Sequence, residues 1–199
     1  MKTKLIIFDA YGVTIKGGFP QTIDALSKVC KRKDKKHMFD VFYFKWFPKA
    51  IRRQIPQKEA WIQSVKELNL PLTWQEVRDL HYKQMSLNKE LLPILKKLKK
   101  ENNVLLLTAN TRTQFVDTNK MFNMGQYFTK MMNTWELQMQ KSEEKTYKHI
   151  CKVFNVKPNE IIYIDDQERN LVAPKNLGIQ TIFYKNFKQF KKEFDKLYN

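Results

Sequence analysis

The sequence predicts an α/β protein: a doubly wound parallel sheet with a helical module inserted after its first strand. Three observations predict it. Short, uninterrupted apolar runs recur along the chain, and most end on a polar or acidic residue. Helical patterns precede the later runs. One interval of about ninety residues carries helices and no convincing strand. The chain, 199 residues long, can bury a substantial core and fits one domain, or one domain with an insert.

The first run, Leu5-Ile6-Ile7-Phe8, stops at Asp9 and is followed by Gly12. A short all-apolar strand suits the middle of a parallel sheet covered on both faces. Val104-Leu105-Leu106-Leu107 is the second and ends at Thr108; Ile161-Ile162-Tyr163-Ile164 is the third and ends at Asp165-Asp166. The fourth, Thr181-Ile182-Phe183, follows Gly178, a residue suited to stop the preceding helix. Residues 90–100 place Leu91, Ile94, Leu95 and Leu98 on one helical face with lysines opposite. Residues 145–154 space Tyr147, Ile150, Cys151 and Phe154 as a helix does. Strands alternating with helices give a doubly wound sheet, whose ligands bind outside the carboxyl ends of the strands.

Between the first and second strands the pattern reads as helices over residues 22–33, 40–46, 58–68 and 73–86, punctuated by Pro48, Pro56 and Pro71. Thr73 is placed to cap the last, with Glu76 completing a capping box. A parallel crossover needs only about a dozen residues, so this interval is an inserted module. The expected division is a core of residues 1–15 and 88–199 and a helical cap of residues 16–87. Its rings Phe39, Phe42, Tyr43, Phe44, Trp46 and Phe47 read as helix-packing core, with one or two exposed to a pocket.

Composition narrows the function classes. No stretch approaches the ~18–20 apolar residues of a membrane span. Cys30 and Cys151 make no metal-type spacing or disulfide framework, which fits reduced thiols in a cytoplasmic protein. The net charge is +17, but 31 of the 37 basic residues are lysines spread over the whole chain. Specific phosphate and base recognition leans on the planar fork of arginine, so a solvated surface is the expectation, ahead of nucleic-acid binding. The densest basic stretch, residues 20–58, has 11 basic against 3 acidic residues and falls in the insert. Oligomeric state is not legible.

The strand tips carry a resemblance. LIIFDAYGVT (5–14), NVLLLTAN (103–110), Lys141 opening KSEEKTY, and EIIYIDDQERN (160–170) resemble, in order, the four motifs of the haloacid-dehalogenase-like superfamily. The matches run from residue 5 to about 183, and the insert after the first motif resembles the family's helical cap. The resemblance implies a Rossmann-like core with Asp9 as nucleophile, Thr108 hydrogen-bonding the transferring group, and Lys141 steadying charge on nucleophile and substrate. It also implies Mg2+, held by Asp9, Asp166 and the backbone carbonyl of Tyr11, with Asp165 beside them and Asn170 behind. The residue types make chemical sense on their own. An aspartate can form a covalent intermediate that water hydrolyses. Clustered carboxylates repel unless a cation neutralises them, and magnesium suits such oxygen donors.

One position departs from the family. Its phosphatases usually carry a second aspartate two residues after the nucleophile, as general acid and then base; here that position is Tyr11, whose ordinary pKa of ~10 suits it poorly. Loss of a general acid costs about 10²–10⁴-fold in rate, less with good leaving groups. DAYG instead resembles the 2-haloacid dehalogenases, whose halide leaves without a proton. The acidic pair of the fourth motif points back to a metal, which those dehalogenases do not use. Three readings follow, in order: a magnesium-dependent phosphatase acting on a small phosphorylated metabolite; a metal-independent 2-haloacid dehalogenase; and a catalytically weak or inactive binding protein.

Overall fold

The computed structural model describes residues 2–198. Its strands are β1 (Leu5–Asp9), β2 (Ile15–Lys16), β3 (Ser86–Leu87), β4 (Asn103–Thr108), β5 (Lys130–Asn133), β6 (Ile161–Asp165) and β7 (Gln180–Phe183). The helices before β4 are α1 (Phe19–Val29), α2 (Lys35–Phe39), a π-helix (Asp40–Trp46), α3 (Phe47–Ile51), α4 (Gln57–Glu67), α5 (Trp74–Lys83) and α6 (Leu92–Glu101). Those after it are α7 (Arg112–Phe122), α8 (Thr134–Leu137), α9 (Glu144–Phe154), α10 (Glu168–Asn176) and α11 (Phe187–Tyr198). The chain forms two compact units, one of the described residues up to Ile15 together with those from Leu87 onward, the other Lys16–Ser86.

In the first unit five strands pair in the order β5-β4-β1-β6-β7, every pair parallel. The chain starts at the centre, builds outward through β4 and β5, then returns to build the other side through β6 and β7. The order therefore reverses at β1, and a doubly wound sheet opens its crevice at the carboxyl ends of the strands flanking that reversal. Register aligns the tips: Phe8 pairs with Leu106 and Ile164, and Thr108 with Asn133. Both faces are covered. Leu5, Ile7, Leu105, Leu107, Ile161 and Tyr163 pack against residues of α9 and α10 on one side, and Phe8 stacks edge-on against Phe190 of α11.

The fifth strand, β5, escapes the sequence pattern. Its residues Lys-Met-Met-Asn pair on one side only, with β4, so neither β-branched side chains nor a full apolar run is required of it. The four strands expected from their apolar runs are present, each extended to its polar tip residue or by one residue at its start. Gly178 takes a left-handed φ of 86° just past α10 and ends that helix.

The second unit is helical around Leu26, Met38, Phe42, Phe47, Ala60 and Trp61. Thr73 caps α5 with its side chain, and Glu76 closes the capping box on the Thr73 amide. Pro48 does not end a helix: α2, the π-helix and α3 run on from Lys35 to Ile51. The widened π turn before it relieves the crowding, and the missing N–H, that a proline brings to an α-helix. Of the six rings between 39 and 47, Phe42 and Phe47 are core, while Tyr43 and Phe44 are exposed. β2 and β3 pair as a two-stranded sheet. Among the described residues no helix is long and apolar enough to cross a membrane.

Candidate active site

Asp9 is the last residue of the central strand β1, and it is buried. Its carboxylate Oδ1 accepts from the Ala10 amide at 2.6 Å and from the Lys141 ammonium. The chain then turns sharply. The amides of Thr14 and Ile15 return to the Ala10 carbonyl, and the Thr14 hydroxyl donates to the Asp9 carbonyl at 2.8 Å. The turn needs Gly12, which has φ 85°. A Cβ there would also sit 1.9 Å from Oδ2 of Asp166, so this loop and that carboxylate share one tightly fitted space.

Lys141 lies just before α9 and is 5% exposed, which makes it no surface lysine. Its Nζ bridges Asp9 and Asp165, the latter at 3.1 Å. Burial pulls the Lys141 pKa down, but Asp9 and Asp165 outweigh that and hold it above its ordinary value. Asp165, at the tip of β6, is surrounded by donors. Lys141 and the Tyr163 hydroxyl reach Oδ2, the Gln167 amide reaches Oδ1 at 2.8 Å, and the Asn170 amide group reaches both oxygens at 3.1 and 3.2 Å. Asp166 differs: its Oδ1 is buried with no hydrogen-bond partner among the described residues.

The carboxylates of Asp9, Asp165 and Asp166 offer oxygens all within 4.8 Å of one another, against the single ammonium of Lys141. Burial, with Asp165 and Asp166 adding to it against the pull of Lys141, raises the Asp9 pKa to about 8. Burial and then Asp165 likewise raise that of Asp166. An oxygen-donor cluster with excess negative charge and one orphaned carboxylate oxygen fits a small hard cation. Asp9 and Asp166 are the residues with oxygens available to it, since Asp165 is already committed to protein donors.

Thr108 ends β4, beside β1, and is 2% exposed. It does not cap the following helix; Thr111 does, accepting from the Gln114 amide at 3.3 Å. The Thr108 oxygen accepts from the backbone and side-chain nitrogens of Asn110 at 3.5 and 3.3 Å, leaving its own proton to donate. Tyr11 turns its phenol toward α7, 3.5 Å from the Thr118 hydroxyl. Burial raises its pKa to about 12. With Ala10, Leu106, Thr108, Phe115 and Thr118 it lines a small cavity of about 10 Å³, room for about one water.

Three contributors were not legible in the sequence. Tyr163 reads as one more apolar strand residue, yet its hydroxyl holds Asp165. Tyr147 reads as part of the apolar face of α9, yet its hydroxyl donates to the Lys141 carbonyl at 2.8 Å and so fixes the loop that carries the lysine. Asn88 has no motif around it, yet it grips the loop after Asp9 from 75 residues away.

The sequence profile of the haloacid dehalogenase-like hydrolases matches residues 20–184. Bifunctional epoxide hydrolase 2 of Rattus norvegicus is 25% identical over 117 residues, covering 56% of this chain and 21% of that protein. The chain thus spans about a fifth of the length of the curated relatives it matches. A HAD family enzyme of Bacteroides thetaiotaomicron superposes with a TM-score of 0.80 at 20% identity, covering 98% of this chain and 99% of the other. Its complex with magnesium and inorganic phosphate gives 0.78 at 20% identity, over 96% and 99%. The L-2-haloacid dehalogenase of Xanthobacter autotrophicus with chloropropionic acid covalently bound gives 0.68 at 14%, over 98% and 83%. At these identities the solved structures establish a shared fold. With the profile covering most of the chain, the conclusion is direct: this protein belongs to the haloacid dehalogenase-like hydrolases.

Proposed function

We propose that the chain is a magnesium-dependent phosphatase acting through Asp9 on a small phosphorylated metabolite. The observation that carries this reading is the buried, unpartnered Oδ1 of Asp166 within a three-carboxylate cluster. A carboxylate oxygen left free beside two other carboxylates is a donor that a hard cation would use. Asp9 and Asp166, with the Tyr11 carbonyl, would hold the cation, which when bound supplies neutralisation of the carboxylates and of the substrate phosphate.

The chain's own residues do the rest. Lys141 and the Ala10 amide orient the carboxylate of Asp9, which we assign as the nucleophile. It bonds to phosphorus as the bond to the leaving oxygen breaks, and the leaving group takes the electron pair. Water then attacks the aspartyl phosphate, releasing phosphate and restoring the carboxylate. Thr108 donates to the transferring group, and Lys141 offsets its developing charge. Asp165 holds Lys141 in place. Tyr11 supplies its carbonyl; its phenol, raised to about 12 and directed at α7, is no proton donor to a leaving group.

A second reading, 2-haloacid dehalogenase, is favoured by that same lack of an acid at position 11, since a halide leaves unprotonated. One assay separates the readings: wild type, Tyr11→Phe and Tyr11→Asp on an aryl phosphate, an alkyl phosphate and a 2-haloacid, with magnesium present or chelated. The expected result is magnesium-dependent turnover of the aryl phosphate far above the alkyl one, retained by Tyr11→Phe. Tyr11→Asp should raise alkyl turnover, at a cost in stability for the lost ring. Haloacid turnover under chelation with both phosphates untouched would replace this reading by the second, and no turnover of any substrate would leave a binding role.

A further inference from the structure

We infer that Asn88 is a positioning residue that sets the geometry of the cation site by clamping the loop after the nucleophile; the inference rests on the reading above. Asn88 is fully buried and stands just after β3, at the return from the inserted segment. Its backbone N–H and its side chain both reach residues 13–14. Its amide N–H donates to the Thr14 carbonyl at 2.8 Å, and its Nδ2 donates to the Val13 carbonyl at 2.9 Å and to the Tyr184 hydroxyl at 2.7 Å. Its own Oδ1 is buried without a partner among the described residues. An amide that leaves its acceptor unsatisfied in order to place its donors is costly to stability, and such groups call for an explanation beyond packing.

The explanation lies one contact further on. Thr14, gripped through its carbonyl, donates its hydroxyl to the carbonyl of Asp9. Gly12, one residue before Val13, lies so close to Oδ2 of Asp166 that no Cβ fits between them. The segment held by Asn88 is therefore pinned to Asp9 at one end and fitted against Asp166 in its middle. It also carries the Tyr11 carbonyl. Loosening the clamp lets the loop move relative to Asp166, and the distances among all three cation donors change together. Residues behind metal ligands commonly carry a 10–100-fold effect on metal affinity.

The test is magnesium affinity by calorimetry on the full chain, for wild type, Asn88→Asp, Asn88→Ala and Tyr184→Phe, with thermal stability measured alongside. Asn88→Asp keeps the size of the side chain and the backbone bond to Thr14 but cannot donate to Val13. A carboxylate acting through charge alone would tighten magnesium binding. The clamp requires the opposite sign: binding about 10-fold or more weaker. Asn88→Ala should weaken it similarly, without the added charge. Tyr184→Phe removes the other side-chain partner and should lose some stability with affinity within twofold of wild type. Should Asn88→Asp fail to fold, the alanine variant decides alone. Folded Asn88 variants that bind magnesium as tightly as wild type would overturn the clamp while leaving the proposed function standing. A wild type that binds no magnesium would overturn both.

Discussion

At Gly12 a single hydrogen in place of a methyl group decides whether the loop and the carboxylate opposite can coexist. The residue has φ 85°, which costs an L-residue about 1–2 kcal/mol, and a Cβ would fall 1.9 Å from Asp166 Oδ2. Backbone strain alone would be survivable; the collision moves a carboxylate of the proposed cation site. Gly12→Ala is therefore expected to lower the melting temperature modestly and to abolish the proposed magnesium-dependent hydrolysis, and a variant with wild-type turnover would show that the loop is free to yield. His81, in the other unit, illustrates the reverse case of a titratable group kept from ionising. Thr22 gives its proton to the Gly18 carbonyl at 2.8 Å, so its oxygen accepts from His81 Nδ1 at 2.7 Å, and Nε2 is buried without a partner among the described residues. Burial lowers the pKa of this histidine to about 3. Its folded pKa lies below the unfolded value of about 6.5, so its contribution to stability is full above that value and is lost as pH falls toward 3. From pH 7 to pH 5 the loss is on the order of 2 kcal/mol. Urea unfolding at the two pH values should show that loss in wild type and not in His81→Gln; equal pH dependence in both would mean that His81 is ionised in the folded chain.

The elements divide into those whose formation is local and those whose formation is decided by neighbours, and legibility follows that division. Leu5–Asp9, Asn103–Thr108 and Ile161–Asp165 lie inside the sheet with a partner strand on each side. They must be apolar on both faces, so their sequences announce them and their polar tips together. The fourth, Gln180–Phe183, is an edge strand, but its apolar centre and the glycine before it mark it. Lys130–Asn133 sits at the opposite edge, where one partner suffices, and a lysine and two methionines carry no strand signature. The cap of α5 is legible because Thr73 and Glu76 act within one turn. The π-helix is not, because nothing local distinguishes Asp40–Trp46 from an ordinary amphipathic turn apart from Pro48 beyond it. The site follows the same rule. Asp9, Lys141, Asp165 and Asp166 can be picked out by motif, and the structure brings them into contact. Tyr163, Tyr147 and Asn88 act through hydroxyl and amide groups whose partners are set by the assembled sheet, so the sequence around them records only their bulk or their polarity.

On the scale of the whole molecule, the excess positive charge is the property with most bearing on partners. The net charge of +17 is divided rather than concentrated: Lys16–Ser86 contains 15 basic and 7 acidic residues, a net +8, and the rest of the chain carries the other +9. Several exposed charges are also matched locally, as in Lys35 with Asp24, Lys36 with Asp40 and Lys45 with Glu67. A charge arranged in this way attracts polyanions through scattered lysines, each a flexible point charge, without the fixed arginine forks that read bases or grip phosphates bidentately. Binding to nucleic acid is therefore expected to be weak, indifferent to sequence and strongly dependent on salt. With about three phosphates neutralised, affinity should fall roughly 30–100-fold between 50 and 200 mM salt, since each neutralised phosphate releases condensed counterions. Fluorescence anisotropy with single- and double-stranded oligonucleotides of several sequences, titrated at both salt concentrations, makes the measurement. A complex that keeps its affinity at 200 mM, or that prefers one sequence or one strand form by tenfold, would mean that some of these lysines form a dedicated nucleic-acid surface and that the hydrolase reading leaves out a partner.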